Sequence, residues 1–292
     1  MTAALTPSTL ELIARAICAA RGLVFVRYVG AGAFKETFEV EQDGVAYALK
    51  VYNSRNNPER ATREIDAMTR CAHAHIGRLV AIAVHDDASG RHAFSLEEYL
   101  GGGTLSERLS TGVLPPAAVH TLGVALIDAV AHIASLDLVH RDLKPDNIIF
   151  RADGVTPVVV DFGLVRDLNA SSLTQTHVMQ GPGTPLFAPA EQLLNDKAMI
   201  DWRADQFSLG VMLCYCAFGS HPYQTDLDSP AEVITRVAER AGPTSNFIDV
   251  AQAAGLPALM RMVAPWPVQR YRTPSALARA WAEQCPTSAE DS

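Results

Sequence analysis

His140-Arg141-Asp142-Leu143-Lys144-Pro145-Asp146-Asn147 is the stretch on which the reading of this chain turns. Eight consecutive residues hold two acids, two bases, a histidine and an asparagine. An apolar helical pattern precedes them at 115–137, and a short apolar strand follows at 148–150. A charge-dense loop shut between apolar elements is costly unless its charges serve one another or a ligand. Val158-Val159-Val160-Asp161-Phe162-Gly163 then sets a carboxylate at the end of a β-branched strand, read as 155–160. Asp153-Gly154 joins the two strands as a hairpin, which brings Asn147 and Asp161 side by side. Both offer the hard oxygen atoms that Mg²⁺ prefers.

Toward the N-terminus, residues 10–20 have helical spacing and 23–29 read as a strand that runs into Gly30-Ala31-Gly32-Ala33-Phe34. Residues 38–40 and 45–51 read as two more strands, with Asp43-Gly44 as the turn between them. Two glycines at a strand-to-strand turn let backbone N–H groups approach phosphate oxygens. This is no dinucleotide fingerprint, because a strand follows rather than a helix. Lys50 closes the third strand. Asn57 and Pro58 look like a cap and first residue for a helix over 59–72, which carries Glu64. Residues 79–84 and 92–96 alternate like strands. The stretch 100–103 is glycine-rich and reads as a flexible joint.

Beyond the loop, 161–195 has little periodicity, and so long a stretch inside a domain is usually functional. Helical patterns cover 204–217, 231–241, 248–262 and 274–284. The picture is an α+β, bilobal chain: a small antiparallel sheet lobe with one main helix, a joint and a larger helical lobe. The expected division is a helical extension at 1–21, a domain at 22–285 (lobes 22–97 and 102–285 about a hinge at 98–101) and an acidic tail at 286–292.

The 292 residues are 48% hydrophobic and 19% charged, too apolar for disorder. Lys and Arg number 24 against 32 Asp and Glu, a net charge of −8, so no basic excess exists to coat nucleic acid. The N-terminus has no signal-peptide pattern. The apolar run 117–138 is interrupted by His120, Asp128, His132 and Asp137, and is read as too polar for a membrane span. Five scattered cysteines suit a reducing compartment, and Cys214-x-Cys216 lacks the second pair a zinc site needs. A cytoplasmic protein with neither nucleic-acid nor membrane partners is expected.

At these residues the chain resembles the eukaryotic-like serine/threonine protein kinases of bacteria, from Gly30 to Arg270 and in that family's order. His140 to Asn147 matches the catalytic loop without a gap, and Asp161-Phe162-Gly163 matches the magnesium-binding motif. The resemblance implies a protein kinase fold using ATP and Mg²⁺, with proteins bearing Ser or Thr acceptors as substrates. It implies that Gly30, Ala31, Gly32, Ala33 and Phe34 cover the phosphates. Lys50 is to contact them, held by an ion pair to Glu64. Asn147 and Asp161 are to hold the metal, Asp142 to take the acceptor's proton, and Lys144 to sit near the transferred group. Lys144 with Thr184 points to the serine/threonine type. Glu98 and Leu100 would offer hinge backbone to adenine, sandwiched by Ala48 and Ile149. Arg141 would meet a phosphate on the activation segment, whose candidate acceptors are Ser171, Ser172, Thr174 and Thr176. Autophosphorylation there implies transient self-association.

Three positions depart from the family pattern. Lys35 stands where a third glycine is usual, and either crowds the loop tip or adds a cation near the phosphates. Thr37 replaces a valine above adenine, and Glu97 puts a carboxylate at the back of the adenine pocket. Pro189-Ala190-Glu191 keeps the glutamate expected to pair with Arg270. Lys35 and Glu97 motivate an alternative, a kinase-like module that binds nucleotide without transfer. A small-molecule phosphotransferase is the third reading, and Arg141, Lys144 and the long segment after Asp161 weigh against it.

Overall fold

Ser8 caps helix α1 (Thr9–Arg21) by accepting the Glu11 N–H, and Gly22 ends it with φ +67°. The computed structural model of the chain describes residues 8–32, 35–53, 58–88, 90–162, 165–168, 185–225 and 228–284. Strands β1 (Val24–Ala31), β2 (Lys35–Gln42) and β3 (Val45–Tyr52) follow. Asp43 and Gly44 both take positive φ, as the tight turn between β2 and β3 requires. Helix α2 (Pro58–Arg70) and strands β4 (Leu79–Asp87) and β5 (Gly90–Glu98) complete the lobe. The sheet is antiparallel in the order β1-β2-β3-β5-β4.

The two-residue turn fixes which side chains share a face. Phe38, Val40, Leu49 and Val51 are buried on one side, against Ile13, Ala14, Ile17 and Cys18 of α1. Those helix residues recur at the helical period, so α1 closes that face. Thr37 lies opposite Lys50, Lys35 opposite Tyr52, and Ser95 opposite Lys50 across the next pair. Opposed residues in an antiparallel pair project to the same side. Lys35, Lys50, Ser95 and Glu97 therefore share the second face, which looks into the cleft between the lobes.

The second lobe begins with α3 (Leu105–Leu109), which the sequence reading left unassigned. Its Thr104 and Glu107 form a reciprocal capping box. Helix α4 (Pro116–Ser135) leads to β6 (Leu138–Val139) and then to the hairpin β7 (Ile148–Phe150) and β8 (Pro157–Val159). Strand β9 (Arg166–Asp167) pairs with β6 across the loop between them. Helices α5 (Ala190–Leu193), α6 (Trp202–Phe218), α7 (Pro230–Ala238), α8 (Ser245–Ala253), α9 (Ala258–Met262) and α10 (Pro274–Ala282) follow. Helix α6 is buried almost all round and carries Cys214 and Cys216, whose thiols burial pushes up. Gly123 of α4 lets the Trp281 ring of α10 approach so closely that a Cβ would sit 2.2 Å from it.

Three expectations change. The single helix expected over 248–262 is two, because Gly255 takes φ +67° and Pro257 follows. The glycines at 101–103 are not a slack joint: a Cβ on Gly102 would lie 2.0 Å from the Arg151 carbonyl oxygen, and the Gly102 N–H bonds to Phe150 O at 2.9 Å. Helix α4 does meet the length and apolar composition of a membrane span. Its scattered polar residues do not exclude that by themselves; here its Val119, Leu126, Val130 and Ile133 are buried in the core.

Candidate active site

The loop between β6 and β7 is held from beneath by one buried carboxylate. Asp205 of α6 accepts the N–H groups of His140 (2.7 Å) and Arg141 (2.8 Å). Burial pushes its carboxyl above the usual range, against the opposing pull of His140 and those two N–H groups. Arg141 turns the chain at φ +69°, and its carbonyl accepts the Gln192 side-chain N–H at 2.6 Å. The His140 ring donates from Nε2 to Val160 O (3.2 Å) and accepts the Asp142 N–H at Nδ1 (3.3 Å). Phe162 is buried and packs its ring edgewise on His140, centroids 4.9 Å apart.

Above that base stand the polar groups. Lys144 Nζ lies 3.1 Å from the Asp142 carboxylate. Asn147 donates its amide to both the Asp142 carbonyl (2.7 Å) and carboxylate (3.0 Å). With that nitrogen committed, the Asn147 side-chain oxygen is the atom left for a ligand. Val160 N–H bonds to Asn147 O at 2.9 Å, so the β7–β8 ladder places Asp161 beside Asn147, as the hairpin reading expected. Asp161 takes φ +66° and is partly exposed toward the cleft. Two hard oxygen donors at the same end of the β7–β8 hairpin, Asn147 just before β7 and Asp161 just after β8, fit a Mg²⁺ ion that would also draw oxygens from a phosphate and water.

The lysines are arranged differently from the expectation. Glu64 of α2 does not pair with Lys50. It is ion-paired to Lys35, whose ammonium also lies 3.0 Å from Asp161. Burial alone would lower the Lys35 pKa, but the Asp161 and Glu64 carboxylates outweigh it and hold it well above the ordinary lysine value. Burial pushes the Glu64 carboxyl up, and Lys35 opposes that. Lys50 turns instead to Glu97 at 2.5 Å, and Ser95 donates to the other Glu97 oxygen at 2.9 Å. The physical reason is reach: Lys35, Lys50, Ser95 and Glu97 share the cleft face, and it is the Lys35 ammonium that meets both Glu64 and Asp161. Strand parity across the Asp43-Gly44 turn was the sequence signal that could have placed Lys35 there.

Gly30, Ala31 and Gly32 precede Lys35, and the Gly32 N–H bonds to Lys35 O at 2.8 Å, closing the turn. Ala48 and Ile149 are half-buried, on β3 and β7. Glu98 ends β5; its N–H is taken by Arg78 O (3.0 Å), and its side chain is ion-paired to Arg151 of the second lobe. Leu100 lies just beyond. Glu191 and Arg270 form the expected pair, both fully buried, at 2.5 Å. Ala33, Phe34, Gly163, Ser171, Ser172, Thr174, Thr176 and Thr184 lie outside the described residues. Asp205 opens Asp205-x-Phe207-Ser208-Leu209-Gly210, a motif that resembles the family's at the start of this helix, but its support of the loop and that of Gln192 were not legible, because their partners are backbone groups more than fifty residues away.

The family model "Protein kinase domain" matches residues 23–281. The chain is 35% identical over 181 residues to serine/threonine-protein kinase PknL of Mycobacterium tuberculosis, covering 61% of this chain and 44% of that relative. It is 30% identical over 220 residues to the probable serine/threonine-protein kinase PkwA of Thermomonospora curvata, covering 73% of this chain and 28% of the relative. It is 34% identical over 185 residues to serine/threonine-protein kinase AfsK of Streptomyces coelicolor, covering 63% and 22%. The chain thus matches less than half the length of these curated relatives. With a family match that takes in the phosphate-loop strands, the 140–147 loop and the helical lobe, the chain belongs to the protein kinase family.

Proposed function

We propose that this chain transfers the γ-phosphoryl group of ATP to serine or threonine hydroxyls of proteins. One observation carries the reading: the Asp142 carboxylate, with Lys144 at 3.1 Å and Asn147 at 3.0 Å, stands in a loop anchored at both its leading N–H groups by Asp205. The acceptor oxygen bonds to the γ-phosphorus as the bond to the β–γ bridging oxygen breaks. Asp142 orients that hydroxyl and accepts its proton, and ADP leaves. Lys144 offsets charge on the transferred group. Asn147 and Asp161 are the residues that would hold Mg²⁺, which neutralises phosphate charge when bound.

The Glu98 and Leu100 backbone, with Ala48 and Ile149, form the adenine side of this reading, and Gly30 to Gly32 the phosphate side. Self-association for phosphorylation of the segment around Ser171 to Thr176, met by Arg141, belongs to the same proposal. So does a cytoplasmic setting, which the buried reduced thiols of Cys18, Cys71, Cys214 and Cys216 support. The hinge at 98–101, within proposed domain limits of 22–285, is supported by β5 ending at Glu98; α1 lies before those limits in the chain but packs into the core of the same sheet.

The test is incubation with γ-labelled ATP and Mg²⁺ beside Asp142→Asn. Label in protein from the wild type, at least about 100-fold above the variant, is the expected result. Equal label in both would refute the role of Asp142, and transfer to small alcohols but to no protein would replace the substrate class.

A further inference from the structure

We propose that Lys35, not Lys50, is the lysine that contacts the ATP phosphates in this chain, and that Glu97 makes this exchange possible by retaining Lys50. The proposal rests on the phosphotransfer reading above and names a residue within the same site.

The two departures from the family pattern are coupled. Lys35 adds a cation to the cleft face and Glu97 adds an anion. Each charge has a buried partner. Lys35 is 9% exposed and bridges Glu64 and Asp161. Lys50 is 8% exposed and lies 2.5 Å from Glu97, which is 3% exposed. A phosphate-contacting lysine must stand near the metal-binding carboxylate, because both act on the same triphosphate. Of the two ammonium groups, Lys35 lies 3.0 Å from Asp161. Moving Lys50 to the phosphates would strip Glu97 of its partner inside the protein, which is strongly unfavourable. Ser95 fixes the Glu97 carboxylate from its other oxygen, so Glu97 is itself held in place.

Lys35 is also well placed along the chain. It starts β2 directly after the glycine turn, and its carbonyl accepts the Gly32 N–H. Its backbone is therefore tied to the glycine turn while its ammonium reaches Glu64 and Asp161, whereas Lys50 sits in the middle of the sheet, on β3 between β2 and β5. Glu64 performs one task in either arrangement: it holds the phosphate lysine. Here that lysine comes from β2 instead of β3. Lys50 still acts on Glu64 electrostatically, which makes it a latent substitute.

The test compares four proteins: wild type, Lys35→Gly, the double variant Lys50→Met/Glu97→Leu, and Lys35→Gly/Glu97→Leu. Lys50→Met/Glu97→Leu removes the buried pair as a neutral unit, and circular dichroism and melting check that each protein is folded. Two readouts are taken: label transfer from ATP, and Mg·ATP affinity by titration calorimetry. Lys35→Gly should lose about 100-fold in transfer, the usual effect of removing one electrostatic donor from a phosphoryl-transfer site. Lys50→Met/Glu97→Leu also alters the adenine side, where Glu97 stands, yet should lose at least about tenfold less than Lys35→Gly, because no phosphate-contacting group is removed. Lys35→Gly/Glu97→Leu frees Lys50 for Glu64 and should recover about tenfold of the loss. The reverse order, with Lys35→Gly near wild type and the Lys50→Met/Glu97→Leu protein inactive, overturns the proposal. Should the wild type bind Mg·ATP without transferring phosphate, the kinase reading fails alone, and the affinity order of the same proteins decides the lysine. A wild type that neither transfers nor binds overturns both.

Discussion

Lys50 and Glu97 form an ion pair at 2.5 Å on the cleft face of the sheet, with both side chains almost wholly shut from water. Such a pair contributes little net stability when intact and is costly to break, because desolvation has already been spent on both charges. Lys50→Met should therefore destabilise the protein by about 3–5 kcal/mol, while Lys50→Met/Glu97→Leu should recover most of that. Urea denaturation of both variants at neutral pH measures the difference; equal stabilities would mean that water reaches Glu97.

The Glu191–Arg270 pair is a second buried ion pair of different construction. Arg270 also donates to the carbonyls of Ala264 (2.8 Å), Arg203 (2.9 Å) and Pro265 (3.2 Å), so removing it strips three backbone acceptors and leaves the Glu191 carboxylate only Arg240, 3.9 Å away. Arg270→Met should cost about 3–5 kcal/mol. Glu191→Gln, which leaves those carbonyl bonds in place, should cost about 1–3 kcal/mol. The ranking of the two denaturation midpoints is the check.

Asp205 supports the catalytic loop without touching substrate. In Asp205→Asn one carboxylate oxygen becomes an N–H₂ group facing a backbone N–H. The loop loses an anchor, and Asp142 is displaced relative to the acceptor. Turnover should fall by about 10–100-fold, the scale of a misplacement near 1 Å. Mg·ATP affinity should stay within about twofold, since Asn147 and Asp161 are still positioned by the β7–β8 hairpin they flank. Steady-state kinetics with a parallel calorimetric titration separates the two; loss of affinity as large as the loss of turnover would contradict this role.

His221 makes the protein acid-sensitive. Burial lowers its pKa from 6.5 to about 4, opposed by its bond to Leu186 O. Its Nε2–H donates to that carbonyl and its Nδ1 accepts the Tyr223 N–H, so a second ring proton would face another donor. The folded state thus prefers the neutral ring. The stability it gives is complete above the unfolded value and is lost as pH falls from about 6.5 toward 4, by on the order of 3 kcal/mol. His221→Gln can keep both bonds without titrating. Its stability should vary less than wild type between pH 7 and pH 4.5 in denaturant titrations, and parallel curves would argue against His221 as the cause.

The sequence by itself determined which residues can carry the chemistry. Asp142, Lys144 and Asn147 fall within six positions of one loop, and the strand before Asp161 is short and β-branched, so local geometry alone brings them together. The alternation of 35–42 and 45–52 about Asp43-Gly44 likewise contained the sheet register, because a tight turn leaves the pairing no freedom. The split of 248–262 at Gly255 and the close approach at Gly102 were less legible, because each depends on what packs there and not on periodicity. Only the tertiary structure decided which lysine Glu64 holds. The choice is made by the other carboxylates of the cleft: the partly exposed Asp161 draws Lys35 from the edge of the phosphate loop, and the buried Glu97, brought opposite Ala48 by strand pairing, keeps Lys50. Partition of charge in a buried cluster is set by distances between strands and helices, and those distances exist only once the lobe has folded.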